Sequence, residues 1–303
     1  MSPTPLSIWL DGELRPLAGA HVSMLDQGLH YGCGVFEGLR GYAIDGGCAV
    51  FRLDDHLARM ARGAEALGFT LDADALRDGL ARLMTANALG DAYLRPIAWL
   101  GDGQGVKLDI SAMQVRHAIA TLPLASHLSD AIRRRGLWLQ TSRLRRNPHD
   151  AIPPLKLCGA YVNSVIAKTR AMRDGFDQAL FLDGDRVVEG AAENVMIVRG
   201  GRFIAVDHPD ALPGITLQTL IELTGAERRA VTRDELLDAD EVLLCGTSAE
   251  VCPVTRLDDR AWPIGPLTLG LRDAYADLVR GRDPSREAWI TRYATGASAR
   301  KVA

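Results

Sequence analysis

The chain has 303 residues, of which 47% are hydrophobic and 24% charged, and its formal net charge is −3. This composition is typical of a globular protein with a prior of about two domains. A nucleic-acid-binding protein would show a basic stripe, and a membrane span needs about 18 apolar residues in a row. The sequence shows neither of these patterns.

The five cysteines form no Cys-x-x-Cys pair, which argues against a metal site and against a disulfide framework. Residues 1–13 lack the basic and apolar regions of a signal peptide. We therefore expect a cytoplasmic protein with reduced thiols.

Hydrophobic periodicity predicts short strands and two helices in the first part of the chain. Asp-Gly turns indicate hairpins, and aspartates stand where each helix would begin. In chain order the predicted elements are hairpins at 7–19 and 35–53, a helix after Asp54 and Asp55 with apolar positions from Leu57, a helix after Asp72 with apolar positions from Leu76, and strands at 93–100 and 115–122.

The second part has more hairpins than strand–helix–strand units, so we predict an α+β or mixed α/β fold rather than a doubly wound parallel sheet. A stretch without periodicity at 123–132 predicts a linker between a smaller N-terminal domain, 1–122, and a larger C-terminal domain, 133–303. The predicted strands are 136–142, 178–183, 186–189, 194–199, 202–206 and 240–245, and the predicted helices are 160–173, 215–224 and 267–280.

Only four lysines are available for Schiff-base chemistry: Lys107, Lys156, Lys168 and Lys301. Lys156 differs from the others because apolar residues flank it just before a predicted helix. An apolar setting lowers the pKa of an amine, as a lysine nucleophile requires. On this local pattern alone, a lysine whose stem packs in the core while its amine reaches water is the alternative.

Three further segments carry groups suited to a charged ligand. Glu189 and Glu193 lie between two apolar strands, where a carboxylate needs a partner unless it is exposed in a turn. The segments 212–216 and 246–250 offer small residues, hydroxyls and free backbone N–H groups that could hold an anion. Simple helix or strand capping is the alternative for each of them.

Seven segments resemble, in the same order, the motifs of branched-chain aminotransferases, which are fold type IV pyridoxal-phosphate enzymes. The resemblance covers about residues 7–280. The matching segments are 30–40 (HYGCGVFEGLR), 51–59, 93–96 (YLRP), 156–161, 189–194 (EGAAEN), 212–216 (LPGIT) and 246–250 (GTSAE).

This resemblance implies a two-domain fold similar to that of D-amino-acid aminotransferase, with pyridoxal 5'-phosphate at the domain junction. It implies that Lys156 is the catalytic lysine that binds the cofactor and moves the proton. Glu189 would face the pyridine nitrogen and Tyr161 the phenolic oxygen. The phosphate would be bound by Arg59, Ile215, Thr216, Gly246 and Thr247.

On the substrate side, the resemblance implies contacts from Tyr31, Phe36, Arg40, Tyr93, Arg95, Thr247 and Ser248. Tyr31 would come from the neighbouring subunit, so the active unit would be a homodimer or a higher homo-oligomer. The expected reaction moves an amino group between a branched-chain or other hydrophobic L-amino acid and a 2-oxo acid. Glutamate and 2-oxoglutarate would be the partner pair, with Arg95 receiving the distal carboxylate.

Two departures from the family pattern concern side-chain recognition. Leu124 stands where branched-chain enzymes often carry a tryptophan, and Gln104 stands where they often carry a methionine or leucine. A larger or functionalised substrate would fit such a pocket. The alternatives are an aminodeoxychorismate lyase-like enzyme, a D-amino-acid or amine transaminase on the same fold, and a scaffold without catalytic activity.

Overall fold

A computed structural model of the chain describes residues 6–101, 108–124 and 128–294. The strands are β1 (Ser7–Leu10), β2 (Glu13–Pro16), β3 (Gly34–Phe36), β4 (Leu39–Ile44), β5 (Gly47–Phe51), β6 (Ala92–Gly101), β7 (Gln114–Pro123), β8 (Leu137–Thr141), β9 (Gln178–Asp183), β10 (Arg186–Gly190), β11 (Asn194–Arg199), β12 (Arg202–Val206), β13 (Glu227–Arg229), β14 (Glu241–Gly246), β15 (Glu250–Leu257), β16 (Arg260–Ala261) and β17 (Ile290–Ala294). The helices are α1 (Gln27–His30), α2 (Leu53–Ala66), α3 (Ala73–Asn87), α4 (Asp130–Arg135), α5 (Tyr161–Arg173), α6 (Ile215–Thr224), α7 (Arg233–Leu237) and α8 (Pro266–Leu278).

The chain forms two compact units that are not contiguous in sequence. The first contains Met1–Ala125, Lys156–Gly159 and Leu278–Ala303, and the second contains Ser126–Leu155 and Ala160–Asp277. The linker predicted at 123–132 stays a prediction.

In the first unit, the described strands form one sheet in the order β17-β5-β4-β6-β7-β1-β2, and β3 adds to β6. All of its pairs are antiparallel. Helix α3 buries Leu76, Leu80, Leu83 and Met84, whose spacing of three or four residues places them on one face. Gly79 lets this helix approach the sheet, because a Cβ there would lie 2.6 Å from the Trp9 ring.

In the second unit, the described strands form a sheet in the order β10-β9-β8-β15-β14-β11-β12-β13, with β16 beside β15. Three of its pairs are parallel, β8 with β9, β8 with β15, and β12 with β13. Its core is made of apolar strand residues such as Leu139, Val195 and Leu244, which are fully buried. The prediction of a mixed α and β fold with many hairpins is confirmed.

The predicted helices match α2, α3, α5, α6 and α8 to within a few residues. The hairpin predicted at 7–19 ends earlier, because Leu17–Gly19 forms a 3-10 turn after β2. Strands β13, β15, β16 and β17 were not predicted, and two of them pair with strands far away in sequence. None of the helices in the described ranges has the length and apolar character needed to cross a membrane.

Candidate active site

In the first unit, the segment that carries Lys156 is joined to β3 by backbone hydrogen bonds. Phe36 N donates to Lys156 O at 3.2 Å, and Cys158 N donates to Gly34 O at 2.8 Å. Gly32 permits this approach, since its φ is +65° and a Cβ there would lie 2.6 Å from the Gly159 Cα. The structure thus brings two predicted motifs, 30–40 and 156–159, side by side.

A buried ionic cluster lies in the same unit. Arg59 donates from Nε to Glu37 Oε1 at 2.7 Å and from Nη2 to Oε2 at 2.9 Å, while His56 Nδ1 lies 2.8 Å from Oε2. Burial alone would raise the pKa of Glu37, but the charge of Arg59 and the contact with His56 hold this pKa far below its usual range. Burial also lowers the pKa of His56, against the opposing charge of Glu37. Glu37 is therefore a carboxylate that receives the Nδ1 proton of a neutral His56.

Four of the predicted substrate residues of the first unit, Phe36, Arg40, Tyr93 and Arg95, lie on one face of its sheet. Arg40 is opposite Tyr93 in the ladder, and Phe36 is opposite Ile97, so these side chains point the same way. The Phe36 ring lies 4.9 Å from Lys156 Nζ and 4.5 Å from the Arg95 guanidinium carbon.

Arg95 is held in place by its neighbours on β6. Its Nη2 donates to the Tyr93 hydroxyl at 2.5 Å, whereas its buried Nε has no hydrogen-bond partner among the described residues. Gly38 leaves room for that hydroxyl, because a Cβ at this position would overlap it. The structure therefore places a guanidinium, an aromatic ring and the lysine amine in direct succession.

Tyr31 lies outside the strands that carry this group. It follows α1 and is 44% exposed. The segment before it also exposes apolar side chains, which belong to Val22, Met24, Leu25 and Leu29.

In the second unit, Glu189 at the end of β10 is buried and bonded at both oxygens. Arg146 Nε donates to Oε1 at 2.6 Å, and Leu212 N donates to Oε2 at 3.0 Å. Asn194 Nδ2 lies 3.5 Å from Oε2 and donates to Leu212 O at 2.9 Å. Arg146 and Glu189 are each only 5% exposed, so their ion pair is well shielded from water. The arginine keeps Nη1 buried with no hydrogen-bond partner among the described residues.

Tyr161 is the first residue of α5, and the segment containing Arg146 runs beside that helix end. Asn147 Nδ2 donates to Ala160 O at 3.0 Å, and Asn163 Nδ2 donates to Arg145 O at 2.9 Å. These two bonds fix the beginning of α5 against the arginine that pairs with Glu189.

The predicted phosphate segment forms the first turn of α6. Ile215 and Thr216 begin the helix, and the N-cap residue Gly214 supplies no side-chain acceptor. A Cβ at Gly214 would overlap Asn194 Oδ1, so this turn lies directly against the Glu189 group. Free N–H groups at a helix beginning are a ready binding site for an anion.

Gly246 ends β14, and Thr247 and Ser248 form the turn into β15. The three residues are partly buried. Glu250 adopts a φ of +57° at the end of this turn. Two hydroxyls are thereby presented at one end of the hairpin.

Glu193 is held by a glutamine side chain and by its own turn. Its Oε2 accepts from Gln178 Nε2 at 2.7 Å and from Ala192 N at 3.2 Å. Lys168 is exposed on α5, while Gln104, Lys107 and Lys301 lie outside the described residues.

Sequence reasoning missed Glu37, His56 and Arg146 as members of these groups. The first two stand within recognised motifs, but their pairing joins residues 19 positions apart. Arg146 lies 43 positions from Glu189 in an arginine-rich stretch that looks like a solvated surface. A buried carboxylate at Glu189 needs a nearby cation, and this requirement was the one signal in the sequence for a partner such as Arg146.

These groups fit pyridoxal phosphate. The cofactor needs an amine for its aldehyde, a carboxylate at its ring nitrogen and an anion site for its phosphate. The first unit has the amine of Lys156 next to Phe36, and the second has Glu189 with its buried arginine and the first turn of α6, so the chain carries a group of each kind. Together with a mixed α and β fold of two sheets, these groups point to the class of fold type IV pyridoxal-phosphate enzymes.

Comparisons with known proteins agree with this class. The profile of the amino-transferase class IV family matches residues 34–257. The chain is 33% identical over 296 residues to a branched-chain-amino-acid aminotransferase of Pseudomonas aeruginosa, with 94% of this chain and 96% of that protein covered. The chain therefore belongs to the class IV aminotransferase family and is a pyridoxal-phosphate-dependent transaminase.

Solved structures extend the likeness to the whole fold. The branched-chain aminotransferase of the thermophilic archaeon Thermoproteus uzoniensis, crystallised with norvaline, matches with a TM-score of 0.89 and 33% identity, covering 95% of this chain and 99% of that one. The branched-chain amino acid aminotransferase of Thermobaculum terrenum in its PLP form gives a TM-score of 0.86 and 30% identity, covering 96% and 99%. The lyase, the D-amino-acid or amine transaminase and the inactive scaffold are not favoured by these matches.

Proposed function

We propose that this transaminase acts on hydrophobic L-amino acids, including the branched-chain ones, with glutamate and 2-oxoglutarate as the partner pair. The observation that carries the proposal is the Phe36 ring, which contacts both the amine of Lys156 and the guanidinium of Arg95. The proposed reaction binds two kinds of substrate in turn, one with an apolar side chain and one with a distal carboxylate. An apolar ring beside a fixed guanidinium suits both. The names of the matched relatives support the same substrate class.

We assign the cofactor roles residue by residue. When bound, the cofactor supplies an electron sink for the bond broken at the substrate Cα. Lys156 would hold the cofactor aldehyde and would move the proton at the substrate Cα, and Tyr161 would donate to the phenolic oxygen. Glu189, held as an anion by Arg146, keeps the ring nitrogen protonated.

The phosphate falls to residues that present N–H groups, hydroxyls or a guanidinium. Arg59 uses Nε and Nη2 for Glu37, and this pairing orients the guanidinium that we assign to the phosphate. The remaining phosphate ligands are Ile215, Thr216, Gly246 and Thr247.

Substrate recognition is assigned to the sheet face of the first unit and to the β14–β15 turn. Arg95 has a buried Nε that finds no partner in the described residues, which suits a distal carboxylate. Phe36, Arg40 and Tyr93 complete the face. The turn residues Thr247 and Ser248 bind the α-carboxylate.

We assign a homodimer as the minimal active unit, with Tyr31 entering the partner's site. Its support is the run of exposed apolar side chains at Val22, Met24, Leu25, Leu29 and Tyr31, because a patch of this kind normally marks an interface. Leu29→Arg should shift the protein toward a monomer in analytical ultracentrifugation. A monodisperse monomer in the unaltered enzyme would contradict the assignment.

A reducing compartment, the cytoplasm, is part of the same proposal. All five cysteines are free thiols, and burial raises the pKa of Cys158 to about 11 and that of Cys48 to about 12. A structure whose cysteines are all protonated free thiols does not depend on disulfide formation, and so does not require an oxidising compartment.

A donor and acceptor screen with the purified holoenzyme tests the proposed substrates. Leucine, a straight-chain homologue and D-leucine serve as donors, with 2-oxoglutarate as the acceptor. Arg95→Met should raise KM for 2-oxoglutarate about tenfold or more, the scale of one lost charged hydrogen bond, and should leave KM for 4-methyl-2-oxopentanoate unchanged. Equal effects on both acceptors would contradict the role of Arg95, and a preference for D-leucine would contradict the substrate class.

A further inference from the structure

Two backbone segments bind Glu189, and hydrogen bonds between residues close to these contacts join the two segments to each other. One segment contributes Arg146 and the other contributes the N–H of Leu212. Asn194 also joins the second segment to Glu189, because its Nδ2 contacts Glu189 Oε2 and donates to Leu212 O. The link between the two segments themselves is made by His149 and Asp210.

Asp210 Oδ1 accepts two hydrogen bonds from His149, one from the backbone N at 2.8 Å and one from the ring Nδ1 at 2.7 Å. Asp210 is 5% exposed, whereas the His149 side chain is 53% exposed. Burial alone would raise the pKa of Asp210, but the hydrogen bonds from His149 lower it overall. Asp210 is therefore a carboxylate, and Nδ1 of His149 is the donor.

Asp183, His208 and Asp210 also bring three potential metal-ligand atoms within 4.8 Å of one another. Their hydrogen bonds favour a different interpretation. Asp210 N donates to His208 Nδ1 at 3.2 Å, so the ring proton is on Nε2, 3.5 Å from Asp183. A metal at Nε2 would force that proton onto Nδ1, where the backbone donor already stands. The group therefore acts as a hydrogen-bonded network that supports the position of Asp210.

This network matters for Glu189 because its two oxygens depend on both segments at once. Arg146 is three residues before His149, and Leu212 is two residues after Asp210. A small displacement of either segment would lengthen the bond to one carboxylate oxygen. Misplacement of a catalytic group by about 1 Å can cost about 100-fold in rate.

We propose that His149 and Asp210 form a positioning pair that holds Arg146 and the Leu212 N–H on Glu189. The proposal rests on the proposed function, in which Glu189 faces the ring nitrogen of the cofactor. His149 and Asp210 act through the backbone and are not catalytic residues.

The test uses His149→Ala, with His149→Asn as the rescue variant, because the asparagine Nδ2 can replace the ring Nδ1 as a donor. Asp150→Ala is the matched control, since Asp150 is the exposed neighbour in the same turn. Asp210→Asn removes the charge from the other side of the pair. The half-exposed position of His149 makes its replacement compatible with folding.

The main readout is the 15N NMR shift of the ring nitrogen in holoenzyme prepared with 15N-labelled pyridoxal phosphate. We expect a protonated nitrogen from pH 6 to 9 in the unaltered enzyme, in His149→Asn and in Asp150→Ala. His149→Ala and Asp210→Asn should give a shift that moves with pH. Their kcat should fall about tenfold with little change in KM, and binding of pyridoxal phosphate to the apoenzyme should weaken by a smaller factor.

Glu189→Gln separates the two levels of the proposal. If Glu189→Gln leaves the 15N shift unchanged, the proposed role of Glu189 is wrong. If Glu189→Gln changes the shift but His149→Ala does not, the positioning pair is wrong. A lower melting temperature in His149→Ala with an unaltered 15N shift also overturns it, because it shows a structural role alone.

Discussion

Arg59 holds Glu37 through two parallel hydrogen bonds, from Nε to Oε1 at 2.7 Å and from Nη2 to Oε2 at 2.9 Å. Glu37 is fully buried and Arg59 is only 4% exposed. This bidentate geometry sets the direction of the guanidinium that we assign to the cofactor phosphate. On this assignment, stability and cofactor binding depend on the same pair of residues.

Glu37→Gln should destabilise the protein by about 3–5 kcal/mol, because it leaves the Arg59 charge buried without its counterion. Urea unfolding of the apoprotein measures this loss. Asp54→Asn is the control, since the Asp54–Arg77 pair is exposed and should contribute about 0–1 kcal/mol. If both substitutions lowered the free energy of unfolding equally, the buried pair would stabilise the protein no more than the exposed pair does.

Acid should destabilise the protein in two steps. The pKa of His56 is lowered by burial, so the unfolded state binds its proton first and stability falls as the pH drops below about 6.5. The lowered pKa of Glu37 adds stability that is present above about pH 4.3 and is lost as the pH falls through its folded value. Urea unfolding between pH 8 and 5 measures the first step, and unfolding from pH 5 down to pH 2 follows the second. His56→Gln should weaken the pH dependence of the free energy of unfolding in the first step. An unchanged pH dependence would contradict the assignment of this step to His56.

Lys156→Ala should abolish transamination and the covalent link to pyridoxal phosphate that borohydride reduction traps. The reason is that Lys156 supplies the amine beside Phe36, and no other described side chain is assigned to that position. Mass spectrometry of the reduced, digested holoenzyme measures the link. Lys168→Ala is the control, because Lys168 is exposed on α5 and should leave both properties unchanged. A labelled peptide containing Lys107 or Lys168 would show that the assigned lysine is wrong.

Glu189→Gln should lower kcat by about 10²–10³, the scale for loss of one preorganised electrostatic group. Glu193→Gln should have a much milder effect, since Glu193 bonds to Gln178 and Ala192 and has no assigned contact with the cofactor. Single-turnover absorbance changes with leucine measure both variants. If Glu193→Gln lowered kcat more than Glu189→Gln did, the wrong carboxylate would have been assigned.

Leu124→Trp should shift the preference toward valine, leucine and isoleucine about tenfold, or near 1.4 kcal/mol. Leu124 is smaller than the tryptophan that often walls the pocket in the family, and unfilled volume costs about 0.8 kcal/mol per methylene left unburied. For the same reason, an aromatic or long-chain L-amino acid should match or exceed leucine in kcat/KM with the unaltered enzyme. Competition assays with paired donors measure these ratios, and a clear branched-chain preference in the unaltered enzyme would contradict the prediction.

The sequence by itself determined the elements whose causes are local. Apolar residues three and four apart predicted α2 and α3, because helix periodicity depends only on near neighbours. Asp-Gly and Gly-Gly pairs predicted the hairpin turns for the same reason. The order of the motifs around Lys156 and Glu189 identified the family without any coordinates.

Only the tertiary structure decided which distant residues share a group. Strand β15 lies parallel to β8, which comes far earlier in the chain, and no local pattern encodes such a register. The partners of Glu37 and Glu189 were likewise hidden, because Arg59 was expected at the phosphate rather than at Glu37, and Arg146 lies in an arginine-rich stretch that looks like a solvated surface. Burial converts each of them into the obligatory counterion of a carboxylate, and burial is a property of packed elements rather than of a single segment.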